Sequence, residues 1–160
     1  MRTMALVLLL LATGFLSSGC KSTMRMESTK HLQRFEGGMR PVYVTNPAMQ
    51  KEYEILRASG IYSLTSQPEG ARKLTLLPVH QYGRCANPLM LTIVTFGIVP
   101  GVLPGARSFE YDLETDGPIA HCTHPLPTYD RISIWEWLAR HDDQKVLAEA
   151  LAWSSLQERQ

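Results

Sequence analysis

Beyond residue 45 the spacing of apolar positions switches from helical to strand-like and back again. Ala48, Met49, Tyr53 and Leu56 recur at roughly helical intervals and predict an amphipathic helix. Asn46 suits its N-cap and Pro47 its first turn. Gly60 is placed to end it in a left-handed conformation. The period then shortens. Ile61 to Ser66 predicts a short strand, Gln67-Pro68-Glu69-Gly70 a turn, and Lys73 to Val79 a strand with Pro78 near an edge or end. Leu89 to Phe96 is apolar on nearly both faces, which predicts a central strand. Phe109, Tyr111 and Leu113 alternate with Ser108, Glu110 and Asp112, the pattern of a half-buried strand. Thr115-Asp116-Gly117 predicts a turn, and Ile119 to His124 a last strand. Helical spacing returns in Ile132, Trp135 and Leu138, where Ser133 and Glu136 match a capping box. It continues behind Asp142-Asp143 in Val146, Leu147, Ala150, Leu151 and Trp153.

These elements sum to an α+β domain over residues 46–160, with one N-terminal helix and two C-terminal helices packed on a four- to five-stranded sheet. The short connections favour an antiparallel meander. Residues 20–45 are polar and lack a period, and Gly37, Gly38 and Pro41 oppose a continuous helix. They read as a flexible tether, with Val42-Tyr43-Val44 available as an edge strand.

The first residues change the picture. Arg2 is the only charge before Lys21, and Ala5 to Ala12 is an unbroken apolar run. A basic start, an apolar stretch and small residues before a cut site describe a secretory signal peptide over residues 1–19. A membrane span needs about 20 apolar residues, and Thr13, Gly14, Ser17 and Ser18 interrupt this one. Ser18-Gly19 stands directly before Cys20, and in this the segment resembles the lipobox of bacterial lipoproteins. It departs from the family pattern at Ser17, where Leu is usual, with Leu16 one residue upstream. The resemblance implies cleavage before Cys20, diacylation of its sulfur and acylation of its amine. Each buried methylene then adds about 0.8 kcal/mol, and a triacylated cysteine exceeds the two signals that stable anchoring takes. Lys21 stands where Asp favours inner-membrane retention in that family, so the expected location is the outer membrane, facing the periplasm.

Removing 19 of the 160 residues leaves 141, enough for one domain with a real core. All 15 acidic residues but only 15 of the 16 basic ones follow the cut, so the processed chain is neutral with histidine uncharged. Without a basic surplus or a recognisable binding motif, nucleic acid is not an expected partner. The expected partners are the lipid bilayer, through acylated Cys20, and an envelope protein. Apart from Cys20, Cys85 and Cys122 remain, in a compartment where disulfides persist, and a bridge is their simplest use. Closing a loop of about 36 residues would add about 3–4 kcal/mol.

Candidate chemistry is sparse. His80, Cys85, His121, Cys122 and His124 are the one group of metal-ligating types. On a strand Cys122 and His124 would share a face and His121 would oppose them. The spacing matches no standard zinc motif, so no metal or other cofactor is expected. A periplasmic metal-binding protein using His80, His121 and His124 is the alternative. There is no Gly-x-Ser-x-Gly elbow and no phosphate-cradling loop, and Glu110, Asp112 and Glu114 read as a solvated strand face. No enzymatic activity is expected; a hydrolase with an unrecognised site is a third reading. Thr95 to Gly105 is an apolar connection punctuated by glycine and proline, carrying Ile98, Val99, Val102 and Leu103. Either it folds under a helix as core, or it is an exposed tip that meets a partner or dips into lipid. Over residues 89–114 this stretch resembles the Thr-x-Gly-Ile-x-Pro turn of small Gram-negative lipoproteins, a likeness that implies no catalytic residue. The combined expectation is a non-enzymatic accessory or binding module.

Overall fold

The alternation centred on Tyr111 runs through the two longest strands of the molecule. A computed structural model describes residues 21–26, 41–82, 90–114, 117–138 and 141–157. Its strands are β1 (Lys21–Met26), β2 (Pro41–Val44), β3 (Ser63–Thr65), β4 (Arg72–Leu76), β5 (His80–Gln81), β6 (Gly101–Glu114) and β7 (Ile119–Ser133). The helices are α1 (Gln50–Ser59), α2 (Met90–Val94) and α3 (Asp143–Gln157), and a 3-10 turn covers Ile134–Trp137. The strands form one strongly curled sheet in the order β1-β7-β6-β4-β2-β3, with β5 added beside β6.

The long antiparallel pair β6–β7 is its spine, in register from Gly101 opposite Ile132 to Glu114 opposite Ile119. Leu103, Phe109, Tyr111 and Leu113 from β6, and His124, Leu126, Thr128 and Asp130 from β7, are buried. Prolines sit in the interior of this pair, which a central strand does not normally tolerate. The stagger of the sheet explains them. Pro125 and Pro127 precede Thr128, where pairing with β1 begins. Pro104 precedes the stretch of β6 that pairs with β5 and β4. Each proline therefore lies where, among the described strands, its strand has a neighbour on one side only.

The α+β class holds, but the sheet is not a purely antiparallel meander. β2 lies between β4 and β3 and is parallel to both. Parallel neighbours need a crossover, and α1 supplies one between β2 and β3. Val42 and Val44 are therefore buried in the sheet rather than on its edge. The stretch expected as a tether likewise contributes β1, which pairs along its whole length with β7. Thr23 and Met24 are buried there. These two are adjacent rather than alternate positions, so no strand period registers in the sequence.

Two further elements differ from expectation. Residues 90–94 of the presumed central strand are helix α2, and within it only Thr92 is buried. Periodicity cannot tell strand from helix in a continuous apolar run. Ile132 and Ser133 complete β7 instead of opening a helix, and Ser133 makes no side-chain cap. Other local signals act as read. Gly60 ends α1 at φ 67°. The Asp142 carboxylate accepts the Gln144 and Lys145 N–H groups at the start of α3, at 3.1 and 3.2 Å. Asn46 does not cap α1, which begins only at Gln50. Its side-chain amide instead bonds the carbonyl and N–H of Leu76, both at 2.8 Å, and so ties the exit of β2 to β4.

The core lies between the sheet and two helices. Ile55 and Leu56 of α1 and Leu147, Ala150 and Leu151 of α3 pack onto Val42, Leu74, Leu76, Phe109 and Leu126. Among the described residues no helix is long and apolar enough to cross a membrane.

Candidate functional site

Three chain ends meet at one end of the sheet. β6 starts there at Gly101, β7 ends there at Ser133, and β1 starts there at Lys21, opposite Ser133. The segment before β6 and the turn after β7 are therefore neighbours. The Ile134 N–H bonds the Gly97 carbonyl at 3.1 Å, and the Trp135 indole N–H bonds the Ile98 carbonyl at 2.8 Å.

This end is apolar and open to solvent. Leu91, Ile93, Phe96, Ile98, Trp135 and Leu138 are all exposed, Phe96 at 77% and Leu138 at 84%. Phe96 also has φ 51°, the one described non-glycine residue in the left-handed region. It closes α2 with the paired bonds of a Schellman motif, Gly97 N–H to Thr92 carbonyl and Phe96 N–H to Ile93 carbonyl. Glycine is the usual residue at that position; a phenylalanine there stores about 1 kcal/mol of strain. The structure thus holds a large aromatic ring outward in an unfavourable backbone conformation.

Five consecutive backbone N–H groups under this patch are satisfied internally. The N–H groups of Thr95, Phe96, Gly97 and Ile98 bond to carbonyls of residues 91–95, and that of Val99 to the Thr95 hydroxyl. That hydroxyl in turn donates to the Leu91 carbonyl at 2.8 Å.

Buried polar groups fix the patch to the sheet. Glu136, in the 3-10 turn, is 3% exposed and accepts the Thr23 hydroxyl of β1 at 2.5 Å. Arg131 approaches its other oxygen at 3.1 Å, and Arg25 stands at 3.5 Å. Burial pushes this carboxyl up, but the Thr23 hydroxyl and the two guanidinium groups outweigh it and hold it below the usual range. Within the β6–β7 pair itself, Arg107 reaches both oxygens of Asp130 at 3.0 and 3.1 Å and Thr128 at 3.1 Å, all buried. Gly105 makes room for that guanidinium: a Cβ there would lie 2.6 Å from Arg107 Nη1 and from the Thr128 carbonyl.

The expected interaction loop is partly a strand, because β6 begins at Gly101. Ile98 and Val102 are exposed and Val99 is half-buried, whereas Leu103 faces inward and is buried. Strand alternation separates Val102 from Leu103. Leu91, Ile93, Phe96 and Leu138 are surface residues that the local pattern did not mark as such. A signal for the first three is present in the chain: no charged residue occurs between Arg84 and Arg107.

The metal-ligating types are dispersed. His80 pairs with Ser108 and stacks edge-on to Tyr82, while His121 lies opposite Asp112. Those two positions on β6 are about 13 Å apart at the rise of a strand. His121 instead bonds Asp112 at 2.7 Å on the outer face. His124 is buried on the inner face, where its Nε2 meets the Tyr111 hydroxyl at 3.0 Å, itself 2.9 Å from the Tyr62 hydroxyl. Burial, then the Tyr62 hydroxyl, push the Tyr111 phenol well above its usual range, so it stays protonated. These groups line a cavity of about 390 Å³ together with Cys122, which is half-buried. Among the described residues no group of three His, Cys, Asp or Glu side chains is arranged to hold a metal ion. Cys20 and Cys85 lie outside the described residues, and with them the expected acylation and disulfide. The chain matches no known family model and no curated protein.

Proposed function

We propose that this protein is a bacterial envelope lipoprotein, anchored to the outer membrane through acylated Cys20 and facing the periplasm. Its domain serves as a non-enzymatic accessory or binding module. The observation that carries this reading is the N-terminal run: Arg2, the apolar residues 5–12, then Ser18-Gly19 directly before Cys20. A bridge between Cys85 and Cys122 belongs to the same reading. The exposed apolar end of the sheet supports a binding role, since soluble monomers rarely leave such patches uncovered.

Mass spectrometry of the protein isolated from cell envelopes tests the anchor. The expected product begins at Cys20 and carries fatty acyl chains. The Cys20→Ser chain is expected to keep residues 1–19 and to take up no labelled fatty acid. A Cys20→Ser chain of mature size in the same envelope fraction overturns the reading.

A further inference from the structure

We propose that the apolar end of the sheet is a second membrane contact, which inserts shallowly into the bilayer beside the acylated cysteine. This rests on the lipoprotein reading for the anchor. The occupant follows from where the chain enters the fold. β1 begins at Lys21, the residue bonded to Cys20, so no spacer separates the proposed acyl chains from the sheet. Lys21 is paired with Ser133, which leads directly into Ile134 and Trp135. The anchor point and the patch therefore share one end of one sheet, and a bilayer holding the first is within reach of the second.

The hydrogen bonds of the patch favour lipid over a protein groove. Within hydrocarbon every backbone polar group must be satisfied from inside the protein. Five consecutive N–H groups, from Thr95 to Val99, meet that demand. Ile98 offers its carbonyl to the Trp135 indole, so the ring enters an apolar medium with its N–H already bonded. Tryptophan is enriched at the membrane–water boundary. Leu138 lies one 3-10 turn after Trp135, on the same side, since residues three apart eclipse in that helix. The left-handed Phe96 has a purpose here: a glycine would relieve the backbone but remove the most exposed aromatic ring of the patch. Two contacts in place of one would hold the domain flat on the membrane in one orientation rather than on a swinging leash.

Tryptophan quenching tests the contact. The full-length protein isolated from envelopes is placed in vesicles of phosphatidylethanolamine with a minor share of phosphatidylglycerol, part of it brominated on the acyl chains. The Trp135 signal is the difference from a Trp135→Phe protein. It is expected to be blue-shifted and quenched by more than roughly half. Phe96→Gly with Leu138→Ser is expected to lose most of that quenching while the acyl label stays. Phe96→Gly alone should melt no lower than the parent, which separates a binding defect from misfolding. An acylated protein whose Trp135 stays unquenched overturns this inference and leaves the anchor standing. An unacylated protein that is quenched does the reverse. An unquenched Trp135 with a crosslink from Leu138 to one envelope protein also overturns it, in favour of a protein partner.

Discussion

The two ends of the β6–β7 pair are built on opposite principles. At the hairpin end the outer face carries Glu110, Asp112 and Glu114, and the charged partners of Asp112 and Glu114 are exposed. Lys73 and Glu114 stand 3.5 Å apart, and His121 bonds Asp112 at 2.7 Å, with each side chain more than a third exposed. At the opposite end the exposed residues Phe96, Ile98, Trp135 and Leu138 are apolar, and the Glu136 carboxylate is buried. The Arg107–Asp130 pair is buried as well, on the inner face of the same strand pair. Charges that water can solvate are worth little as partners. Charges sealed in the interior hold their neighbours firmly, because breaking one pair strands the other member. The apolar end thus places its polar groups where they brace the fold and its greasy groups where they meet the outside.

Removing one member of the buried pair is the severest test of this contrast. Asp130→Ala leaves the Arg107 guanidinium without its carboxylate, and is expected to cost about 3–5 kcal/mol in denaturant unfolding. A loss close to that of a surface change would show that water reaches the pair.

Glu136→Gln is expected to cost about 2 kcal/mol, the scale of hydrogen bonds to a buried charge. The same group gives a pH signature. Its carboxyl is held below the ordinary value of 4.5, so the unfolded chain takes up its proton more readily than the folded one. Its contribution is full above that ordinary value and fades as pH falls through the folded value. Acid should therefore destabilise the parent protein more than Glu136→Gln over that window. Parallel melting curves against pH for the two chains check this, and identical acid sensitivity would contradict it.

The smallest effect belongs to the hairpin end. His121→Ala removes an exposed partner of Asp112 and should change stability by less than about 0.5 kcal/mol, again read from denaturant unfolding. A larger loss would erase the distinction between the two ends.

Much of the spine is legible in the chain. Phe109, Tyr111 and Leu113 announce their buried face because side chains alternate along a strand. Gly60 and Asp142 announce helix ends through local chemistry. The same alternation puts Tyr111 on an inward face, but its meeting with His124 across the strand pair depends on register. The candidate site is legible only in part. Ile98 and Val102 stand out as candidate surface, yet the local pattern gives Phe96 to a central strand and Trp135 and Leu138 to an amphipathic helix. An uninterrupted apolar run states that water is avoided, not what replaces it.

By itself the sequence determined the α+β class, the inward face of β6 and the helix ends at Gly60 and Asp142. These are properties of neighbours along the chain. Only the tertiary structure decided that β2 enters the sheet between β4 and β3, that β1 closes against β7, and that residues 90–98 and 134–138 lie together outside the core. Pairing joins residues more than a hundred positions apart, and no local period encodes which distant strand will offer the matching edge.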